Sequence, residues 1–468
     1  MTRVFILNPP YKNQTFIRVA RWDGISISKS IWYPIHLAYC TGILEKYKHT
    51  VSLVDAIADK LTIENVLTKI NQFSPDITVI NYSTISSAED IAIADTIKEV
   101  TGSCTILVGP CCSINPEKIL SESLKIDGLV RGEFDYSILE LAEGVSKKDI
   151  KGLSWRNDTV LTHNEDRPPM PQEKLDEFPF VSDVYSRHLT IRNYYQAPHL
   201  HPFIDLFTGR SCSYNKCSFC MWPFTINKNA PYRTRSMDNV IDELKFIKQK
   251  LPYVKEIFIQ DDTLPKPRAR ELSTAIIENG LDIVWSCYSR ATLDYDTLIL
   301  MKKSGCRALH VGYESADPQI LKISNKGITP EGALRFTRDV HKAGLQIHAD
   351  FMIGLPGETP DTIKSTIAYA KSLNADSYQF ALPRLYEGTP LYDWLISHNC
   401  IKNGQVDYPD LSHDELENWV HIAMKECMFS RQFIFKYLSR AFSHPRETKR
   451  AIIAGTHILP YVFSRTSK

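Results

Sequence analysis

The chain has almost no net charge, no apolar run long enough to cross a bilayer, no solenoid-type repeat and no low-complexity tract. Each absence removes a class of function. With 55 basic against 54 acidic residues, the formal net charge of +1 gives no bulk pull toward nucleic acid or an anionic membrane. The opening MTRVFILNPPY has a short apolar run that meets two prolines and lacks a small-residue cleavage site, so it does not read as a secretory signal. With no spanning segment either, the expectation is a soluble, cytoplasmic protein. Eleven cysteines, an odd number scattered over 468 residues, suit a reducing compartment rather than a disulfide framework.

What is present is organisation. In the first third, apolar stretches such as VFILN, TVSLVDA, DITVINYS, TILVGP and GLVRGE alternate with helical patterns such as AEDIAIADTIKEV. This alternation predicts a doubly wound, Rossmann-like α/β domain over residues 1–150, with ligand-binding loops at the strand C-termini. GLSWRNDTVLTH reads as a closing hairpin, and the proline-rich THNEDRPPMPQEKLDEFPF as an interdomain linker, together filling 151–200. Over 201–395 a second alternation offers six strands: FIDLFTG, EIFIQDD, IVWSCYSR, ALHVGYES, IHADFMIGLPG and SYQFALPR. Ser236 and Thr359 are placed to cap helices, the latter with Pro360 in the first helical position. Six parallel repeats predict a partial barrel of the (β/α)6 type, with its chemistry on the loops that follow the strands. Residues 396–468 read as a helical segment whose basic, aromatic end is either a solvated cap or a peripheral membrane-contact face.

The loop TGRSCSYNKCSFCMWPF carries Cys212, Cys217 and Cys220. A structural zinc site wants four protein ligands. No second Cys-x-x-Cys pair exists, and no histidine lies between Cys220 and the next helix. Three thiolates suit a cubane iron–sulfur cluster with one iron left open, although a buried or zinc-binding trio has the same composition.

This loop, placed after the first strand of a partial barrel, resembles that of the radical S-adenosylmethionine (SAM) enzymes. The resemblance implies that Cys212, Cys217 and Cys220 hold a [4Fe–4S] cluster, whose electron cleaves SAM to a 5′-deoxyadenosyl radical. Four residues separate Cys212 from Cys217 where the family has three, while KCSFC matches its second half. The resemblance also implies roles for residues at successive strand ends. Phe219 packs near the adenine, Asp261 and Asp262 meet SAM's amino end, and Arg290 pairs with its carboxylate. Glu314 and Ser315 meet the ribose, and Gly354 and Gly357 let the backbone approach the adenine. No catalytic side chain beyond the cluster ligands is implied.

The pairing with an N-terminal doubly wound domain is similar to the cobalamin-binding branch of that superfamily, through ILNPPY, SPDITVINYS, LVGPCCSINPE, VRGEFD, LDEFPF and YEGTPLY. The likeness implies cobalamin held near Ser83, Thr84, Gly109 and Glu133. The chain lacks the Asp-x-His-x-x-Gly motif that supplies a cobalt ligand in many cobalamin domains. Methylation of an unactivated carbon in a small-molecule biosynthetic intermediate is the implied reaction, with flavodoxin or ferredoxin as reductant. Radical rearrangement, ring contraction or oxidative cyclisation is the alternative, and an iron–sulfur electron-transfer or binding module is the non-enzymatic one.

Overall fold

The computed structural model describes residues 1–19, 22–26, 28–157, 160–436 and 455–456. Two compact units emerge. The first takes Met1–Gln196, Ile204–Ser211 and Met221–Ser236; the second takes Ala197–Phe203, Cys212–Cys220 and Met237–Lys468.

The first unit runs β1 (Arg3–Asn8), β2 (Phe16–Val19), β3 (Trp22–Ile25), α1 (Ile35–Lys46), β4 (Thr50–Asp55), α2 (Ile63–Phe73), β5 (Ile77–Asn81), α3 (Ser87–Thr101), β6 (Cys104–Val108), α4 (Pro116–Ser121), β7 (Gly128–Val130), α5 (Asp135–Ala142), β8 (Leu153–Asn157), β9 (Val160–His163) and α6 (Val181–His188). Its seven-stranded sheet has the order β4-β1-β5-β6-β7-β8-β9. The first five of these strands are parallel, and β8 and β9 add an antiparallel edge. Chain order leaves β1 in both directions, the doubly wound pattern, which puts the topological switch between β1 and β5. Helix α1 is apolar nearly all round and packs so closely that a Cβ on Gly42 would lie 3.1 Å from Val184 on α6. Residues 162–180, expected as a linker, belong to this unit: Met170, Leu175 and Phe178 are buried and anchor the stretch despite its prolines.

The remaining elements are β10 (Phe203–Leu206), β11 (Gly209–Arg210), β12 (Arg233–Thr234), α7 (Met237–Lys250), β13 (Glu256–Ile259), α8 (Lys266–Glu278), β14 (Trp285–Ser289), α9 (Tyr295–Lys303), β15 (Cys306–Glu314), α10 (Pro318–Ile323), α11 (Pro330–Lys342), β16 (Gln346–Met352), α12 (Pro360–Leu373), β17 (Ser377–Ala381), α13 (Pro390–Ser397), β18 (Ile401–Lys402), β19 (Gln405–Val406) and α14 (His413–Met428). The six expected strands form one sheet in chain order, β10-β13-β14-β15-β16-β17, and β13 through β17 are parallel. Helices α10 to α13 all start the same way. An Asp or Thr side chain accepts a backbone N–H of the first turn and proline takes the first helical position, at Asp317-Pro318, Thr329-Pro330, Thr359-Pro360 and Thr389-Pro390.

The pleat sorts side chains by face. On β16 His348, Asp350 and Met352 alternate with the buried Ile347, Ala349 and Phe351, and on β17 Ser377, Gln379 and Ala381 alternate with Tyr378 and Phe380. One face is thus apolar and closed, and the other polar and partly accessible. The expected helical C-terminal segment, 396–468, contains the last residues of α13 and the whole of α14 but also the β18–β19 hairpin, and most of its basic end lies outside the described residues.

Candidate functional site

The polar face of the second unit is sealed at its N-terminal end. Glu256, on β13, receives Arg307 Nη2 at 2.9 Å and Ser286 Oγ at 2.6 Å, and lies 3.2 Å from His199 Nδ1. Glu256, His199 and Ser286 are fully buried and Arg307 is partly so. Against the cost of that burial, Arg307 and His199 hold the Glu256 carboxyl well below the ordinary range.

At the other end lies the thiol loop. Cys212, Cys217 and Cys220 are partly exposed and take part in no disulfide. Backbone bonds fix the loop from both sides: Ser218 N donates to Ser324 O at 3.0 Å, and Leu391 N donates to Ser218 O at 3.0 Å. Tyr214 Oη donates to Asn325 O at 2.8 Å. Arg290 stacks its guanidinium 3.6 Å from the centre of the Tyr214 ring while Nη2 donates to Lys326 O at 2.6 Å. The 324–327 turn and the loop are therefore one packed body.

Under that body sits a buried ion pair, Lys326 Nζ to Glu314 Oε1 at 2.6 Å. Lys326 also lies 5.8 Å from the centre of the Phe219 ring. Burial alone would lower the Lys326 pKa, but the Glu314 carboxylate overcomes it and raises the value. Burial raises the Cys217 thiol, and the Lys326 and Arg290 charges pull the other way. Glu314 itself has φ +64, a left-handed conformation at a register shift that ends β15. Gly312 makes room for this pair, since a Cβ there would lie 2.8 Å from Lys326 Nζ. A non-glycine residue held at positive φ in a functional loop is strain that the surroundings must impose, here through a buried ion pair.

The structure places Cys212, Cys217 and Cys220 on one loop, with Phe219 beside Lys326, Arg290 against Tyr214 and Glu314 paired with Lys326. It places the other sequence candidates less uniformly. Asp261 is fully buried and its charge acts on the Cys287 thiol, because the pleat of β13 puts Gln260, two along from Phe258, on the polar face instead. Asp262 is half-buried. Ser315 is engaged locally, accepting from Asp317 N at 3.1 Å. Gly354 and Gly357 both have positive φ, +96 and +90. Beside them burial raises the Glu358 carboxyl to about 7, although it accepts from Gly354 N and Thr362 Oγ1.

Lys326 and Gln260 were not legible in the sequence. Lys326 reaches the site through the left-handed Asn325 turn after α10, at a distance no strand motif marks. Gln260 stood beside two acids that drew the reading away from it.

The thiol set fits an iron–sulfur cluster better than a lone ion. Among the described residues no three His, Cys, Asp or Glu side chains come together to hold a single metal ion. A cubane needs only one thiolate at each of three separate irons, and soft thiolates beside two cations are suited to it. SAM also fits: Gln260 Oε1 and Thr263 Oγ1 are buried without partners after β13, next to the loop that would meet an amino group.

In the first unit, the switch between β1 and β5 is covered by the β2–β3 hairpin. Arg18 forms a buried ion pair with Asp90 at 2.7 Å, Asn81 donates to Arg18 O at 3.2 Å, and Ser83 Oγ donates to Asp23. Thr84 is exposed and lies 3.7 Å from Cys111 Sγ. Gly109 has φ +123, with Asn81 Oδ1 2.9 Å from where a Cβ would stand. Glu133 is engaged elsewhere, with Arg233 at 2.8 Å, Arg210 at 3.7 Å and Met170 N at 2.6 Å.

Comparison with known proteins adds three findings. Residues 206–370 match the model of the radical SAM superfamily, a span that contains the thiol loop and strands β13 to β16. An uncharacterized methyltransferase of Pyrococcus horikoshii is 33% identical over 376 residues, 79% of each chain, and the anaerobic magnesium-protoporphyrin IX monomethyl ester cyclase of Rubrivivax gelatinosus is 26% identical over 81% of this chain and 67% of its own. The fold resembles that of the radical SAM methyltransferase TsrM from Kitasatospora setae, solved with cobalamin and a [4Fe–4S] cluster bound, with a TM-score of 0.66 at 18% identity over 86% of this chain and 79% of that one. With its three-thiol loop at the strand ends and a relative one-third identical over most of both chains, the protein belongs to the radical SAM superfamily of enzymes.

Proposed function

We propose that the protein binds a [4Fe–4S] cluster through Cys212, Cys217 and Cys220, cleaves SAM, and with cobalamin in its first unit methylates an unactivated carbon of a small-molecule biosynthetic intermediate. The observation that carries this reading is the thiol loop packed against the Lys326–Glu314 pair and the Arg290–Tyr214 stack, all within one unit. When bound, the cluster and SAM supply radical chemistry and cobalamin supplies methyl transfer.

The chain's own residues position and exclude water. In this reading Glu314 accepts the ribose hydroxyls while Lys326 holds its carboxylate in place, and Ser315 fixes the turn that follows. Phe219, Gly354 and Gly357 form the adenine side. Gln260, with Asp262 beside it, receives the amino group, and Asp261 supports it from the opposite face. Arg290 anchors the 326–327 turn and presents its remaining N–H groups toward the carboxylate. The six-stranded sheet curls as a partial barrel about these groups.

For cobalamin, the hydroxyls of Ser83 and Thr84 after β5 and the positive-φ Gly109 after β6 suit a hydrogen-bonded nucleotide tail, and Glu133 acts by holding Arg210 and Arg233. The likeness to TsrM and the relative named a methyltransferase support this reading. The relative named a cyclase supports oxidative cyclisation as the second reading. Anaerobic turnover with a low-potential flavodoxin or ferredoxin separates them. Methylation yields S-adenosylhomocysteine together with 5′-deoxyadenosine and a methylated product, whereas cyclisation yields 5′-deoxyadenosine without S-adenosylhomocysteine. A cobalamin-loaded enzyme that forms no S-adenosylhomocysteine sinks the methyl-transfer reading.

A further inference from the structure

The accessible face of β14 to β17 carries groups that no step above uses. Strand register sets them in rows. Tyr288, His310, His348 and Ser377 form one row, and Gly312, Asp350 and Gln379 form the next, closer to the thiol loop. The lower row is a closed floor: the rings of Tyr288 and His310 are 5.4 Å apart, and those of His310 and His348 are 4.8 Å apart. The upper row is open. Asp350 keeps 29% of its side chain exposed, and Gln379 is half-buried.

Asp350 is held in place from below. His348 Nδ1 is 2.7 Å from Ser377 Oγ, and its Nε2 is 3.3 Å from Asp350 Oδ1. The ring thus bridges the Ser377 hydroxyl and one Asp350 oxygen, and the tautomer with its proton on Nε2 would let the serine donate to Nδ1 and the ring donate to the carboxylate. The second oxygen is left to the open face, and no lysine or arginine pairs with Asp350 among the described residues. The nearby cations are committed, Lys326 to Glu314 and Arg290 to two backbone carbonyls. In the register the neighbour of Asp350 is Gly312, the residue over which the Glu314–Lys326 pair lies.

We infer that Asp350, oriented by His348 and flanked by Gln379, selects the substrate by binding a protonated amine, on the strand beside the one that carries Glu314. This rests on the radical SAM reading of the same face. An oriented, partly desolvated carboxylate with one oxygen unpaired attracts a hydrogen-bond-donating cation and repels a carboxylate or phosphate. Bound there, the amine would lie in the row beside Gly312, next to the Glu314–Lys326 pair that the same reading assigns to SAM.

The test uses the full chain, reconstituted without oxygen, and three probes of one size: n-butylammonium, n-butanol and n-butyrate. Saturation-transfer NMR reads their affinities for the wild-type protein and for Asp350→Asn. The inference expects butylammonium to bind the wild type at least tenfold more tightly than butanol, butyrate to bind most weakly, and Asp350→Asn to bring butylammonium to the level of butanol. Equal binding of the three probes, or an ammonium preference that survives in Asp350→Asn, overturns it. Circular dichroism checks the fold of the variant, and if the variant does not fold the wild-type order of affinities decides alone. A wild type that forms 5′-deoxyadenosine yet shows no ammonium preference overturns this inference only. A wild type that forms none removes the reading beneath it, and this role with it.

Discussion

Replacing Lys326 by methionine keeps most of the side-chain volume and removes the ammonium that faces Glu314. The two groups are 2.6 Å apart with side chains 11% and 7% exposed, so neither is well solvated. At an effective dielectric near 20 such a pair attracts by about 6 kcal/mol, much of it offset by the cost of desolvating both ions. What matters for the variant is the carboxylate left behind. A buried charge that loses its partner costs about 3–5 kcal/mol, and Glu314 has the added burden of a left-handed backbone that the pair helps to impose. Urea unfolding of the apo protein, followed by a probe in the second unit, should therefore show Lys326→Met less stable by about 3–5 kcal/mol. The double variant Lys326→Met/Glu314→Gln should recover most of the loss, because a neutral amide beside a thioether strands no charge. A single variant within about 1 kcal/mol of wild type, or a double variant as unstable as the two singles summed, refutes the account of the pair.

Other outcomes follow from the same geometry. Gly312→Ala places a Cβ 2.8 Å from Lys326 Nζ and against Glu314, so it should displace the pair and lower SAM affinity by tenfold or more in equilibrium binding, whereas Gly344→Ala, whose Cβ meets only Lys302 at 3.6 Å, should pay only its backbone strain and leave SAM affinity unchanged. Gly327→Ala puts a Cβ within 2.6 Å of the Tyr214 ring at φ +67; the thiol loop should lose its packing, read as lower iron content after reconstitution. Glu358 has a folded pKa raised to about 7 by burial, so the stability it lends is full below its ordinary value near 4.5 and is lost as pH rises through 7. Glu358→Gln should consequently be more stable than wild type at pH 8 by about 3 kcal/mol, with the difference vanishing near pH 4.5; urea midpoints that move in parallel across this window contradict it. Serine at any one of Cys212, Cys217 or Cys220 should abolish the cluster's absorbance and bring bound iron below one per chain, while serine at Cys400 should leave four.

Much of this arrangement could be read from residue order. Apolar strands of five or so residues separated by Asp-Pro and Thr-Pro helix starts are local signals, and they located all six strands of the second sheet and the five parallel strands of the first. The three thiols were legible because their spacing lies within one loop. What escaped was set by distance along the chain or by the pleat. The β2–β3 hairpin over the switch point gave no periodic signal in eight paired residues, and it now accounts for the Ser83 hydroxyl. Lys326 becomes a neighbour of Glu314 only after α10 and a left-handed turn return the chain. The choice between Gln260 and Asp261 depends on which face each presents, and a stretch of consecutive polar residues at a strand end does not reveal that. Residues 162–180 misled in a different way: proline excludes regular elements, but it does not prevent Met170, Leu175 and Phe178 from packing into a core.

The most direct test of the central claim is electron paramagnetic resonance of the reduced, anaerobically reconstituted protein with and without SAM, paired with product analysis of the same sample. A three-thiolate cluster with one open iron should give a [4Fe–4S]+ signal that shifts when SAM is added, and 5′-deoxyadenosine should accumulate in step with reductant consumed. A reduced cluster whose signal is indifferent to SAM, with no 5′-deoxyadenosine formed, contradicts it.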